Sequence, residues 1–399
     1  MIAERYTDYM YELIRRVVDD IGPRESCGEQ ERRLGTLFAG EIGPACERVE
    51  TETFTCSPTA FLGFFPYLVM AYIAGVVLFF FLPAVSVALA LLAGVVLFGE
   101  VVRYREIIDP IFPKKEGRNV VGFVRPGGEV KRRVYVSAHL DSAYEFNIWL
   151  WFKNFSAPIM GLGFLSVFLL FGFSLARTVV EPVGTPQATA FVVLGIILLA
   201  FIPVLALFIF FHTRNVVPGA MDDMSGVAVV AGLAKYLQDA ASAGEFYPEN
   251  TEVVLVGMSS EEAGLRGAKR FASRHVEESK ALPTYGIFLD CVYDERYFTV
   301  FTKELWPGSK LDPYLVRAAQ EAAGDFGISV NAGALPLGAT DASAFALAGI
   351  PATCLVLWDT SRLAPNYHTR YDTIDRIRPQ SLAVALQTVI GMIERIDKN

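Results

Sequence analysis

The stretch VYVSAHLDS, residues 134–142, decides how this chain is read. Val134, Tyr135 and Val136 are strong strand formers, and the run ends in His139-Leu140-Asp141. Ligands and catalytic groups in α/β sheets gather where strands end at their carboxyl side. Working outward, the same pattern recurs. GAMDD, 219–223, opens a helix with Asp222 and Asp223 at its start. The strand EVVLVGMSS, 252–260, runs into Glu261-Glu262, and YGIFL, 285–289, ends in Asp290. The later loop PNYHTRYDTID, 365–375, carries His368. Two of the four histidines in the chain therefore stand at strand ends or loop tips among clustered acids. Such acids repel one another unless a cation compensates them. Imidazole and carboxylate donors suit Zn²⁺, and Co²⁺ or Mn²⁺ accept the same set.

Taken singly, each residue has a plainer reading. Asp222 fits a cap on the helix that starts near Ser225, and Glu261 a solvated strand-end acid. His275 lies on a polar helix face, and His212 ends an apolar run where a membrane interface would fall. It is the joint placement that points to a metal pair.

The polar sequence alternates strands and helices. Strands fall at 118–125, 133–138, 252–258, 285–291, 297–303 and 352–358; helices fall at 225–239, 263–278, 311–325, 341–348 and 378–396. An amphipathic helix with Ile14, Val17 and Val18 on one side precedes them. Alternation of this kind implies an α/β fold, with a mostly parallel central sheet flanked by helices. Loops are expected at 104–117 and 359–377, the second containing Pro365 and Asn366.

Composition adds a second element. The chain has 399 residues, is 53% hydrophobic and 20% charged, and carries a net charge of −8. Its mean hydropathy is +0.38. Disorder is excluded by the hydrophobicity, and the acidic balance argues against nucleic acid as a partner. The apolar excess lies in runs. Phe54 to Gly99 contains no charged residue and breaks at Leu82-Pro83, giving spans near 61–81 and 84–102. Two more uncharged runs cover Asn154–Ala176 and Pro182–Phe211. Four transmembrane helices in two hairpins result, with the lipid bilayer as a partner. The outer turn of the first carries no charge, and that of the second only Arg177 and Glu181. Arg103, Arg105, Lys114, Lys115, Arg118, Lys153 and Arg214 mark the other ends, which the positive-inside rule places in the cytoplasm. The expected protein is a multi-pass membrane protein with its catalytic domain and both termini cytoplasmic; an extracytoplasmic domain is the competing topology. The domain division is 1–55, 104–153 and 214–399 for one discontinuous catalytic domain, 56–103 for hairpin 1 and 154–213 for hairpin 2. Five cysteines without C-x-x-C spacing, and an N-terminus without signal-peptide features, fit a reducing compartment.

Several segments together resemble the di-zinc aminopeptidase family, the bacterial leucyl aminopeptidase-like zinc exopeptidases, whose relatives include glutaminyl cyclases. IGPRESCGEQERR (21–33) resembles that family's N-terminal Gly-Pro-Arg loop. NVVGFVRPG (119–127) and VYVSAHLDS resemble the two strands leading to its H-x-D motif. GAMDDMSGVAVVAGLAKYL (219–237) resembles its bridging-aspartate loop and helix, and VVLVGMSSEEAGLRGAKRFA (253–272) its Glu-Glu motif. GIPATCLVLWDT (349–360) and YHTRYDTID (367–375) resemble its last strand and histidine loop. The resemblance implies two Zn²⁺ ions. His139 and Asp290 would bind one, Glu262 and His368 the other, and Asp222 would bridge them. Asp141 would orient His139, Glu261 would be the general base and acid, and Tyr367 would stabilise an oxyanion. Two departures stand out. Each hairpin is inserted into the family's pattern, and Thr340-Asp341-Ala342 stands where many relatives have Ser-Asp-His.

The implied activity is hydrolysis of N-terminal peptide bonds by a membrane-anchored zinc metallo-aminopeptidase. The inserted hairpins, which enter and leave beside the catalytic motifs, allow an alternative: an amidohydrolase acting on lipid-linked or membrane-embedded amides. A glutaminyl-cyclase-like transferase is a third reading. A transporter is disfavoured, since the spans carry almost no charge. The oligomeric state is not legible.

Overall fold

The computed structural model describes residues 1–180, 189–359 and 366–399. Glu181 and Pro182, assigned above to the second outer turn and fourth run, lie outside the described residues, as does Pro365. The chain divides into two compact units. One comprises Met1–Pro58, Pro113–Tyr144 and Val216–Asn399, the other Thr59–Phe112 and Glu145–Asn215.

The first unit is built on helices α1 (Thr7–Asp20) and α2 (Glu29–Ile42) and strands β1 (Arg48–Cys56), β2 (Lys115–Val124) and β3 (Arg132–His139). Then follow α3 (Ser225–Ala243), β4 (Thr251–Met258), α4 (Arg266–Ala281), β5 (Thr284–Val292) and β6 (Phe298–Glu304). The remainder is α5 (Pro313–Gly324), β7 (Asn331–Leu335), α6 (Asp341–Ala348), β8 (Ala352–Leu357) and α7 (Pro379–Lys398). The sheet runs β1-β2-β4-β3-β5-β8-β6-β7, with the short strand Ser309–Lys310 beside β6. Its centre is parallel: β3 pairs in that sense with β4 and β5, and β8 with β5. β1, β2 and the β8–β6 pair are antiparallel.

The central strands are apolar on both faces because helices cover both. Val134, Val136, Val253, Leu255, Ile287 and Leu289 face a core shared with α1, α2, α3, α5 and α7. Tyr135, Val254, Val256 and Phe288 alternate with them and pack against Phe271 of α4 and Phe345 of α6. The carboxyl ends of β3, β4 and β5 thus fall along one edge of the sheet.

β1, α2 and β7 extend the expected set. β1 reads Arg-Val-Glu-Thr-Glu-Thr, a polar alternation natural to an edge strand that pairs on one side only. β7 is Asn-Ala-Gly-Ala-Leu, weak in strand propensity and held by β6 alone. His275, expected on a polar face, sits 2.7 Å from Glu52 through Nε2, so α4 is tied to β1 by an ion pair.

Among the described residues, the second unit contains four helices long and apolar enough to cross a membrane: Ala60–Phe81, Pro83–Val102, Asn147–Val180 and Thr189–Phe210. Phe81, Leu92, Phe168 and Ile196 point outward and exposed, as lipid-facing side chains do. The break at Leu82-Pro83 is where the sequence puts it. The third segment differs, starting at Asn147 and continuing past Arg177, which lies in the helix Ser156–Val180 and not in a turn. Its guanidinium is buried and donates to the carbonyls of Phe79 and Phe80. Those carbonyls lie in the last turn of the helix Phe65–Phe81, where a cation is favoured. The charge ended the apolar run in sequence without ending the helix. Ser86 Oγ, 2.7 Å from the Gly75 carbonyl and 2.8 Å from Ser174 Oγ, joins the same two helices.

Candidate metal centre and active site

β3 delivers His139 to the sheet edge. Its Nε2 lies 3.0 Å from Asp222 Oδ1. Its Nδ1 faces the Asp141 backbone oxygen at 3.1 Å and the Asp141 carboxylate at 3.4 Å. The nearer acceptor is the carbonyl, and either one keeps Nε2 directed at Asp222.

Asp141 has a further task. Its fully buried carboxylate accepts from Ser26 Oγ at 2.5 Å and from the backbone N–H groups of Glu261 and Glu262, each at 3.1 Å. Adjacent residues in a strand point to opposite faces. β4 has already ended at Met258, however, and Ser260 takes a φ of +60°. The bend, clamped by Asp141, brings both glutamates to the site.

Asp222 lies in the loop before α3, with Asp372 accepting from the Met221 N–H at 2.7 Å and the Asp222 N–H at 3.2 Å. The helix-capping bond that Asp222 taken alone would suggest is made by its neighbour. Asp223 accepts from the Gly226 N–H at 3.1 Å and the His139 N–H at 3.2 Å. The Asp222-Asp223 peptide bond is cis. A Cβ on Gly226 would come within 2.5 Å of the Asp223 carboxylate, so only glycine fits there.

Asp222 is thereby free to face two imidazoles. His368 Nε2 is 3.0 Å from Asp222 Oδ2 and 3.2 Å from Glu262 Oε1. Donor atoms of His139, Asp222 and Glu262 lie within 4.8 Å of one another, and so do those of Asp222, Asp290 and Cys291. The other four expected ligands therefore gather around Asp222. Tyr367 stacks between Trp358 and His368, at centroid distances of 4.6 and 3.9 Å.

The donor set fits zinc. Ligands around one four-coordinate zinc with bonds of about 2.0–2.1 Å stand roughly 3.3 Å apart, close to the spacings here. The charges also call for a cation. Burial and like-charged neighbours push Glu262 up to about 7 and Asp290 to about 6. Burial alone would lower His368, but Glu262 and Asp222 raise it to about 10. Glu261, 9% exposed, is pushed well above the usual carboxylate range by burial and the adjacent acids.

Sequence reading gave no role to Asp372, Arg24 or Glu31. Glu31 is buried and accepts from Ser259 Oγ and from the N–H groups of Cys27 and Ser260, which fixes the approach to Glu261. Arg24 and Asp372 lie inside the quoted IGPRESCGEQERR and YHTRYDTID segments. Their signal is a charged residue within a loop that packing must bury.

Solved structures share this fold. A zinc aminopeptidase from Bacillus subtilis matches with a TM-score of 0.56 at 15% identity, over 98% of this chain and 94% of its own. A Zn-dependent exopeptidase from Parabacteroides distasonis matches at 0.53, with 16% identity and 97% of each chain covered. A glutaminyl cyclase from Porphyromonas gingivalis matches at 0.56, with 14% identity and 98% of each chain covered. No curated protein sequence matches. The class is that of the zinc-dependent metallopeptidases, with a mixed α/β fold around a mostly parallel sheet. Over residues 209–393 the chain matches the model of Peptidase family M28. That stretch takes in Asp222, Glu261, Glu262, Asp290 and His368, and begins after His139 and Asp141.

Proposed function

We propose that the protein is a membrane-anchored di-zinc metallo-aminopeptidase that removes residues from the free N-terminus of peptides. The observation that carries this reading is Asp222, whose two carboxylate oxygens each stand 3.0 Å from a different imidazole Nε2. A carboxylate so placed suits a bridge between two ions, one held by His139 and Asp290 and the other by Glu262 and His368. Bound there, such a pair would supply Lewis acidity toward a carbonyl oxygen and toward water.

The chain's own groups do the rest. Glu261 accepts the proton of the attacking water and returns it to the leaving amine nitrogen. A carboxylate with an ordinary pKa is a weak base for this step; burial brings Glu261 into a more useful range. Asp141 holds the Glu261 and Glu262 amides and the His139 ring. Tyr367, fixed by stacking, offers its hydroxyl to the oxygen that gains charge.

Two alternative substrates have support. The likeness to a glutaminyl cyclase favours cyclisation of N-terminal glutamine. The four apolar helices favour a lipid-linked amide. Mass spectrometry of products discriminates them, using the full chain in mild detergent with Zn²⁺. We expect stepwise loss of N-terminal residues from free peptides and none from N-blocked ones. Turnover of acylated substrates alone, or of N-terminal glutamine to pyroglutamate alone, overturns the aminopeptidase reading.

The same proposal places both termini and the polar segments on the cytoplasmic side, supported by Arg103, Arg105, Lys153 and Arg214 at one end of the helices. A cysteine at the exposed position Ser273 should react with an impermeant maleimide only after cells are opened. Labelling in sealed cells reverses the orientation.

A further inference from the structure

β5 is irregular at its carboxyl end. Val356 of β8 pairs with Asp290, yet the next residue, Leu357, pairs with Val292. Cys291 is the extra residue, a bulge, and its φ is +54°, in the left-handed region unfavourable for a residue with a Cβ. Regular pleating would send the Asp290 and Cys291 side chains to opposite faces. A bulge breaks that alternation and re-aims a side chain. The effect here is that Cys291 Sγ and carboxylate oxygens of Asp290 and Asp222 lie within 4.8 Å of one another. Cys291 is 1% exposed, so its thiol faces this site and not solvent. Among the described residues the other cysteines are placed differently. Cys27 and Cys56, for example, face each other at 3.6 Å.

We propose that Cys291 is a further protein donor, through its thiolate, to the zinc ion that Asp222 and Asp290 would hold. The proposal rests on the two-ion reading above and adds to it a sulfur ligand and an inequality between the ions. Coordination replaces the thiol proton, which leaves to solvent. The two carboxylates and the thiol lie within mutual reach there, and as oxygen and sulfur donors they suit Zn²⁺. An ion held by Asp222, Glu262 and His368 would have only nitrogen and oxygen donors from the protein. The sulfur also biases the first position toward zinc and against manganese, which prefers oxygen donors.

The test uses the full-length protein in mild detergent, stripped with chelator and titrated with Co²⁺. The first equivalent should bring visible ligand-field bands together with an intense near-ultraviolet thiolate-to-cobalt charge-transfer band. The second should add ligand-field intensity alone. Cys291→Ser should keep the ligand-field bands, lose the charge-transfer band and bind the first ion more weakly, on the order of tenfold or more, as loss of metal-site partners does. Should that variant not fold, a chain with Cys27, Cys46, Cys56 and Cys354 all changed to Ser must retain the band. Ligand-field bands without charge transfer in the unmodified protein overturn the proposal and leave the two-ion reading standing, with Cys291 a neutral neighbour of Asp290. A charge-transfer band that survives Cys291→Ser also overturns it. Failure to bind cobalt at all overturns both.

Discussion

Glu261→Gln is expected to leave zinc content unchanged and to lower kcat by about 10²–10⁴-fold, the range general acid–base groups contribute. At roughly 1.4 kcal/mol per tenfold, that is about 3–5 kcal/mol of transition-state stabilisation. Glutamine matches the shape of Glu261 and keeps its backbone N–H on Asp141 Oδ1, 3.1 Å away, so the bend after β4 survives. What is lost is the ability to take a proton. Glu262→Gln should behave differently, because Glu262 lies 3.2 Å from His368 Nε2 and within donor reach of Asp222 and His139. There zinc content itself should fall, and activity with it. Metal analysis beside steady-state kinetics on the same samples separates the two. Equal loss of metal in both variants would remove Glu261 from the role of base and make it a ligand. Near-normal kcat in Glu261→Gln would require another proton acceptor in the site.

The sequence exposes His139, Asp222, Glu261, Glu262, Asp290 and His368 because strand patterns end where chemistry begins, and these residues interrupt apolar runs. The bonds that hold them in place were not visible. Asp141 could be read as a partner of His139, but not as the clamp on two glutamate amides, because that clamp depends on a φ of +60° at Ser260. Asp223 looked equivalent to Asp222 until backbone geometry gave one the helix cap and left the other to the histidines. The bulge at Cys291 is invisible for the same reason: TYGIFLDCV reads as regular alternation, and only the register against β8 reveals the extra residue. Edge strands fail differently. β1 and β7 have little apolar burial to leave a pattern, so tertiary pairing and not local propensity creates them.

Arg24→Leu is expected to destabilise the protein by about 3–5 kcal/mol, the usual consequence of removing one partner from a buried charged network. Arg24 is fully buried, and its guanidinium donates to the carbonyls of Leu140 at 2.9 Å, Pro218 at 2.9 Å, Gly219 at 2.8 Å and Gly22 at 3.3 Å. It thereby ties together the loop after α1, the turn after β3 and the approach to Asp222. A guanidinium can do this because its donors radiate in a fixed fork; leucine leaves four carbonyls without that donor. Gly219 gives it room, since a Cβ there would meet Nη2 at 2.7 Å, and its φ of +64° suits glycine. Charge matters as well. Burial lowers the Arg24 pKa, while Asp372, Asp141, Asp223 and Asp222 oppose that and hold its charge in place. Arg24 is thus the resident cation facing those four acids, and bound zinc would share that task. The destabilisation should therefore be larger after chelation than in the zinc-loaded protein. Arg24→Lys, which keeps the charge without the fork, should fall between wild type and leucine. Denaturant midpoints of the three proteins with and without chelator test this. An identical loss in both conditions would assign the whole effect to the carbonyl bonds and none to charge compensation.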